Sequence, residues 1–219
     1  YFVVFGAAIG SKISTIDTVS YGAFIIPGLV MLSVMTTSIN FAAFGIYLPK
    51  YNGSIFELMS APISAYEIVI GYAGAAASKS ILIGILILLT STIFVDFYIK
   101  HPLLMLLLLA ITSITFSLFG FIIGIWATNF EKLQLIPLII ITPLVFLGGS
   151  FYSISMLPEL WQLVTKFNPI FYIINGFRWS FFGTSDIDLF TSLSLIVIFL
   201  FICLAIIGLI FKTGYRIKG

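Results

Sequence analysis

Long apolar runs divided by short polar breaks set the pattern of this chain. A helix needs about 20 apolar residues to cross a hydrocarbon layer ~30 Å thick. Runs of that kind predict membrane spans over 21–47, 68–94, 103–127 and 189–211. A shorter run over 135–149 contains Pro137 and Pro143, each of which removes a helical hydrogen bond, so this span is predicted to be kinked or broken. The opening run 1–10 would cover only about 15 Å as a helix. It reads as the outer half of a truncated first span that begins before Tyr1. The expected fold is all-α and integral to the membrane, a single transmembrane domain over 1–219 with six transmembrane helices. Continuous apolar runs, rather than short alternating ones, exclude a β-barrel.

The polar breaks carry the information. The first, 11–20, holds Lys12 and Asp17. The segment 51–67 is short and amphipathic, with Glu57, the helix breaker Pro62 and a second glutamate, Glu67. That is what a membrane subunit needs if it is to be gripped from the water side. The break 96–102 holds Asp96, Lys100 and the one histidine, His101, read as a loop residue before Pro102. The break 128–134 carries Glu131 and Lys132. The region 150–188 is too polar to span simply and too aromatic for an ordinary loop, and it is broken by Pro158 and Pro169. Such a segment suits the membrane interface, or a helical hairpin dipping partway in. After the last span, Lys212, Arg216 and Lys218 cluster in the tail. Cations beside a span favour the cytoplasmic side, which predicts a cytoplasmic C-terminus and puts 51–67 and 128–134 on that side too.

Composition sharpens this. The mean hydropathy is +1.22, and 61% of residues are hydrophobic against 8% charged. The net charge of +2 is small and scattered, which argues against nucleic-acid binding. Cys203 is the one cysteine and lies in an apolar run, so disulfide frameworks are excluded and the residue reads as a small buried hydrophobe. No His/Cys pair stands at metal-ligand spacing. Gly74-Ala75-Ala76-Ala77-Ser78-Lys79-Ser80 faintly suggests a phosphate loop, but lacks the glycine before the lysine and a preceding strand. Lys79 is instead read as lying near the inner end of its span, where a lysine can snorkel to the interface. Asn52-Gly53-Ser54 matches a glycosylation sequon on what is expected to be the cytosolic side.

Three stretches resemble ABC-2 type transporter permeases of bacterial inner membranes. Asn52-Gly53-Ser54-Ile55-Phe56-Glu57-Leu58, followed by Ala61-Pro62-Ile63-Ser64-Ala65-Tyr66-Glu67, resembles the family's "G-T-hydrophobic-E … P-I-S … E" loop. Phe146-Leu147-Gly148-Gly149-Ser150-Phe151-Tyr152-Ser153 with Leu157-Pro158 resembles its "F-x-G-G-x-F-Y-P/S … L-P" signature, with Ser153 where many members carry proline. Asn168-Pro169-Ile170-Phe171-Tyr172, with Arg178 six residues on, completes the set in the family's order.

The resemblance implies a type V exporter-like permease that pairs as a homodimer on two separate cytosolic ABC ATPase subunits. ATP and Mg would be bound there, with no cofactor, catalytic group or metal in this chain. Asn52, Ile55, Phe56, Glu57, Leu58 and Met59 would form the coupling helix, its apolar residues facing an ATPase groove and Glu57 giving register. Gly148, Gly149, Pro158, Glu159, Asn168, Pro169 and Arg178 would build an outer re-entrant hairpin. There Arg178 would pair with helix-end carbonyls or with Glu159, Asp186 or Asp188. Met31, Met35 and Asn40, beside Thr36, Thr37 and Ser38, are candidates to line a cargo path formed by the second and fifth spans, with helix packing as the competing role. An ATP-independent secondary transporter, an intramembrane enzyme and a non-transporting anchor for an ATPase are the rival classes. The first usually buries ionisable residues in its spans, and the second needs a nucleophile–base pair that the spans do not offer.

Overall fold

The computed structural model describes residues 15–16 and 19–214, apart from the Met59 side chain. The expected partial span over 1–10, the loop residues Lys12 and Asp17, and the tail cations Arg216 and Lys218 lie outside the described residues.

Two short strands, β1 (Thr15–Ile16) and β2 (Val19–Ser20), pair antiparallel with Thr15 opposite Ser20. They lead into α1 (Tyr21–Asn52), whose N-cap Ser20 accepts from the Ala23 amide. The helix runs past the expected end at Tyr47, because Lys50 is not a break. Its ammonium donates to the carbonyls of Ile125 and Ala127 at the end of a neighbouring helix, where free carbonyls and the helix dipole favour a cation. Gly53, at φ 80°, supplies the left-handed residue that ends α1.

After the short α2 (Ile55–Ser60), α3 (Ala65–Ser91) opens on a reciprocal capping box. The Ser64 amide donates to the Glu67 carboxylate at 2.6 Å, and the Glu67 amide donates to the Ser64 hydroxyl at 3.3 Å. Glu67 is therefore a structural cap rather than a free handle. The next spans are α4 (Pro102–Trp126), with proline in its first turn, and a composite one. The composite span joins α5 (Phe130–Leu135), a wide π turn (Ile136–Ile141) and α6 (Thr142–Leu147), with helical backbone through both joints, so Pro137 and Pro143 lie inside one continuous stretch whose widened turn accommodates them. Two helices, α7 (Glu159–Lys166) and α8 (Pro169–Phe182), precede α9 (Leu189–Thr213). Among the described residues, five helical stretches are long and apolar enough to cross a membrane: Tyr21–Asn52, Ala65–Ser91, Pro102–Trp126, Phe130–Leu147 and Leu189–Thr213.

α1 is the hub. The most apolar stretch of α1 is 78% buried against its neighbours, whereas that of α9 is 22% buried and leaves its flank to lipid. The contact of α1 with α4 depends on glycine. A Cβ on Gly120 would meet the Ile39 backbone, with Cα 2.7 Å away, and one on Gly124 would meet the Ala43 backbone. The two pairs advance in step, so α1 and α4 run parallel. Small residues that let backbones approach are the usual device for packing helices in lipid, where no hydrophobic force draws them together. On the other side, a Gly84 Cβ would meet Val34 and Leu109 at 2.9 Å, and Ser38 and Ser80 share a 2.7 Å hydrogen bond. These contacts show that α3 runs antiparallel to α1. The end of the bundle bearing α2 is called the α2 end below, and the opposite one the hairpin end.

Lys79 stands fourteen residues from Ala65 and twelve from Ser91, about 21 and 18 Å along the axis. It is thus near the middle of α3 and not near its end, which corrects the expectation from the sequence.

Gly120→Val is expected to lower the melting midpoint of the purified protein, because the added methyls meet backbone that cannot move aside; overpacking of this kind costs about 1–3 kcal/mol. Gly74→Ala, where a Cβ meets nothing within 4 Å, serves as the control and should melt with the wild type. Equal midpoints for all three in a fluorescence-detected size-exclusion melt would refute the close α1–α4 contact.

Candidate functional site

Three places concentrate the polar groups of this chain. At the α2 end, the six-residue α2 is anchored from one side. Ile55 is buried against Ala42, Ile46, Ile68, Phe121 and Ile125, and Leu58 packs on the same cluster. Phe56 is 53% exposed, and Glu57 and Asn52 are exposed beside it. The apolar residues thus do not form one outward face, as the sequence suggested. Ile55 and Leu58 hold the segment to the bundle, and Phe56 and Glu57 project from it. The Ser60 hydroxyl closes the short helix on the Phe56 carbonyl at 2.6 Å.

Next to α2, Phe130 at the start of α5 packs edge-on against Tyr47 and Tyr51, with ring centroids 4.9 and 5.2 Å apart. Asn129 caps α5 by accepting from the Lys132 amide at 3.0 Å. The end of α1 and the start of the composite span are therefore clamped together. Nothing in the sequence pairs these rings, although aromatic residues on both sides of two polar breaks were a usable signal.

At the hairpin end, the signature residues converge. Gly149 takes φ 78°, and its carbonyl accepts from the Arg178 guanidinium at 2.5 Å. The guanidinium carbon also lies 4.0 Å from the centre of the Phe24 ring, in cation–π geometry. The Arg178 guanidinium thus meets a backbone carbonyl in the turn that follows α6. Asp186 accepts from the Ser153 hydroxyl at 2.9 Å, Asp188 caps α9 through the Phe190 amide at 3.1 Å, and Glu159 is exposed in the first turn of α7.

Asn168 bridges two helices. Its side-chain oxygen accepts from the Ile170 amide at the start of α8, and its nitrogen donates to the Leu144 carbonyl of α6 at 2.6 Å. Pro169 occupies the first turn of α8, and Pro158 precedes α7. Gly148 admits no side chain, since a Cβ would lie 2.9 Å from the Leu144 carbonyl. Burial pushes the Tyr152 phenol above its ordinary pKa, so it remains a neutral donor, to the Leu147 carbonyl at 3.1 Å. His101 is more than a loop residue: its ring stacks on Trp179 at 4.8 Å, and its amide donates to the Ser180 carbonyl.

The third place lies between α1 and the composite span. Thr36, Asn40 and Phe44 face Gln134, Pro137, Leu138 and Thr142 across a cavity of about 280 Å³. Of the path candidates, Asn40 lines it, whereas Met31 and Met35 are fully buried in the core of the bundle. Gln134 and Thr142 were missed in the sequence. Polar residues within an otherwise apolar span were the signal.

An apolar bundle of long helices, with a tethered helix at one end and a polar-stapled hairpin at the other, is the architecture of a multi-pass membrane protein. The chain belongs to the ABC-2 type transporter family, whose model matches residues 1–182. It is 38% identical over 200 residues to the inner membrane transport permease YadH of Escherichia coli strain K12, covering 91% of this chain and 78% of that one. It is also similar to nodulation protein J of Rhizobium leguminosarum bv. viciae, at 26% identity over 84% of this chain and 71% of that protein. The Rhizobium meliloti nodulation protein J is 27% identical over 81% and 68%. The chain is a transmembrane transporter subunit and a multi-pass inner-membrane protein.

Arg178→Met removes the donor to Gly149 and leaves a buried carbonyl without it, which costs about 1–3 kcal/mol. The expected result is a lower yield of folded protein and a lower melting midpoint. A midpoint equal to that of wild type would show that the hairpin does not depend on this contact.

Proposed function

We propose that this chain is the permease subunit of an ATP-binding-cassette exporter with the six-span, type V-like arrangement. It would work as a homodimer on two cytosolic ABC ATPase subunits. The observation that carries this reading is α2: a helix fixed to the bundle by Ile55 and Leu58 that turns Phe56 and Glu57 outward. An exposed aromatic beside a carboxylate suits a cleft in a protein partner, the aromatic for burial and the charge for register. A helix lying on the bilayer would instead carry Lys or Arg on its polar face, and α2 has neither. The YadH relative's name as a transport permease, and the match to the ABC-2 family, support the same reading.

On this proposal the α2 end is cytoplasmic, in keeping with Lys50, Lys132 and Lys212 near that end and with the basic tail. ATP and Mg belong to the ATPase chains. Asn52 to Met59 is the coupling segment, and the hairpin from Gly148 to Arg178 closes the outer side. A second reading has one observation in its favour: Lys79, an ionisable group well inside a span, is what an ATP-independent secondary transporter uses.

The test is a pull-down of the full-length chain from its native membrane in mild detergent. A stoichiometric ATPase subunit is expected with the wild type, and Glu57→Arg and Phe56→Ala should each reduce its recovery at least tenfold without altering membrane insertion. Recovery of the intact, folded chain with no ATPase would overturn the ATP-driven reading and favour the secondary transporter.

A further inference from the structure

The side of α1 that the protein core does not use is polar. Ser33, Thr36, Thr37 and Asn40 are half-buried there, at spacings that put them on one helical face. One flank of this face is the cavity shared with Gln134 and Thr142. The other flank is Lys79, exposed on α3, whose ammonium sits 3.2 Å from the centre of the Phe41 ring. Phe41 is six residues short of Tyr47, where the aromatic clamp with Phe130 gathers, so the cation lies about 9 Å inside that level.

A charge at this depth is expensive unless something answers it. Phe41 answers it in part. Among the described residues, no carboxylate lies within ion-pair distance of Lys79. Glu57, Glu67 and Glu131 are at the α2 end, and Asp96, Glu159, Asp186 and Asp188 at the hairpin end. A second copy does not supply one either. A two-fold axis along the membrane normal keeps every group at its own depth, so the twin offers the same hydroxyls and amides and a second Lys79. Ordinary lipids present hydrocarbon tails at this level. Among the described residues and their two-fold copies nothing negative answers Lys79, which leaves the groove open to a negative group on a molecule drawn into it.

We propose that this face holds the cargo, and that the cargo is an acidic amphiphile. Its phosphate or carboxylate pairs with Lys79, neighbouring polar atoms meet Thr37 and Asn40, and its apolar body lies along Phe44 and Leu138. The proposal rests on the permease reading above, but its test needs no ATPase.

The full-length protein is placed in phosphatidylcholine nanodiscs and titrated with dodecyl phosphate, dodecyltrimethylammonium and dodecyl maltoside, with binding read by thermophoresis. Dodecyl phosphate should bind the wild type and Lys79→Arg alike, with Kd raised at least tenfold in Lys79→Gln. Lys79→Glu should transfer the preference to dodecyltrimethylammonium. The dodecyl phosphate affinity should persist in discs containing phosphatidylglycerol. Its complete loss there would assign Lys79 to bulk acidic lipid and overturn the proposal. So would equal binding by wild type and Lys79→Gln, or equal affinity for the anionic and cationic probes, in variants whose melting midpoints match. Retained, Lys79-dependent binding in a chain that recovers no ATPase would keep the acidic-cargo site and remove only the ATP-driven reading.

Discussion

The backbone-to-backbone approach of α1 and α4 at Gly120 and Gly124 sets where the other spans sit. In lipid no hydrophobic force holds two helices together, so their contact relies on close van der Waals fit over a long line. Glycine gives that fit here by removing the side chains that would separate Ile39 and Ala43 from α4. With α1 held so closely, α3 can reach it from the far side through Gly84 and the Ser38–Ser80 hydrogen bond. The α2 end is closed by Lys50 on the carbonyls of α4. At the hairpin end, Gly28 lies so near Ser150 that a Cβ there would stand 2.6 Å from its Cα. α1 therefore carries contacts along its whole length, and the polar face of α1 is the side left after those contacts are made.

On the proposed reading, in which the hairpin dips into the membrane from the outer side, the same constraint explains why it is rich in side-chain staples. Backbone groups at membrane depth have no water to meet, so each break in a helix needs a partner from elsewhere in the protein. The break after α6 is answered by Arg178 on the Gly149 carbonyl and by Asn168 on the Leu144 carbonyl. The π turn before α6 is answered by the Thr142 hydroxyl on the Pro137 carbonyl at 3.0 Å. Two of the motif residues in this region, Asn168 and Arg178, thus act as hydrogen-bond partners for backbone carbonyls at the break.

Spans and breaks were legible in the sequence because hydropathy over about 20 residues records whether a segment crosses a membrane. The motifs of the α2 loop and the hairpin were legible as a family resemblance. Azimuth and depth were harder to read. Met31 and Met35 share α1 with Asn40, but only Asn40 faces the cavity, and no period in so uniformly apolar a helix separates them. The placing of Lys79 near a helix end failed for a related reason. The sequence started this span at Ile68, whereas the capping box at Ser64 and Glu67 sets the start of α3 three residues further back. Glu67 was read only as a second glutamate of the 51–67 segment, because a cap shows itself only when the partner amide is seen.

On the proposed reading, the parts form one lever. α2 is bound to the bundle through Ile55 and Leu58, so a partner that moves Phe56 and Glu57 also moves the cluster around Ile46 and Phe121. The Phe130–Tyr47–Tyr51 clamp then ties the end of α1 to the start of α5. Those two elements lead into the two walls of the cavity that holds Asn40, Gln134 and Thr142. The wall made by α1 is continuous helix from Tyr21 to Asn52 and stiff, whereas the wall made by α5, the π turn and α6 is jointed at Ile136–Ile141. A push at the α2 end would therefore change the width of the groove chiefly by bending the jointed wall against the stiff one. Lys79, on α3 beside the stiff wall, would keep its place while the opposite side opened and closed, so that a cargo anchored by its charge would be released by losing its apolar contacts first.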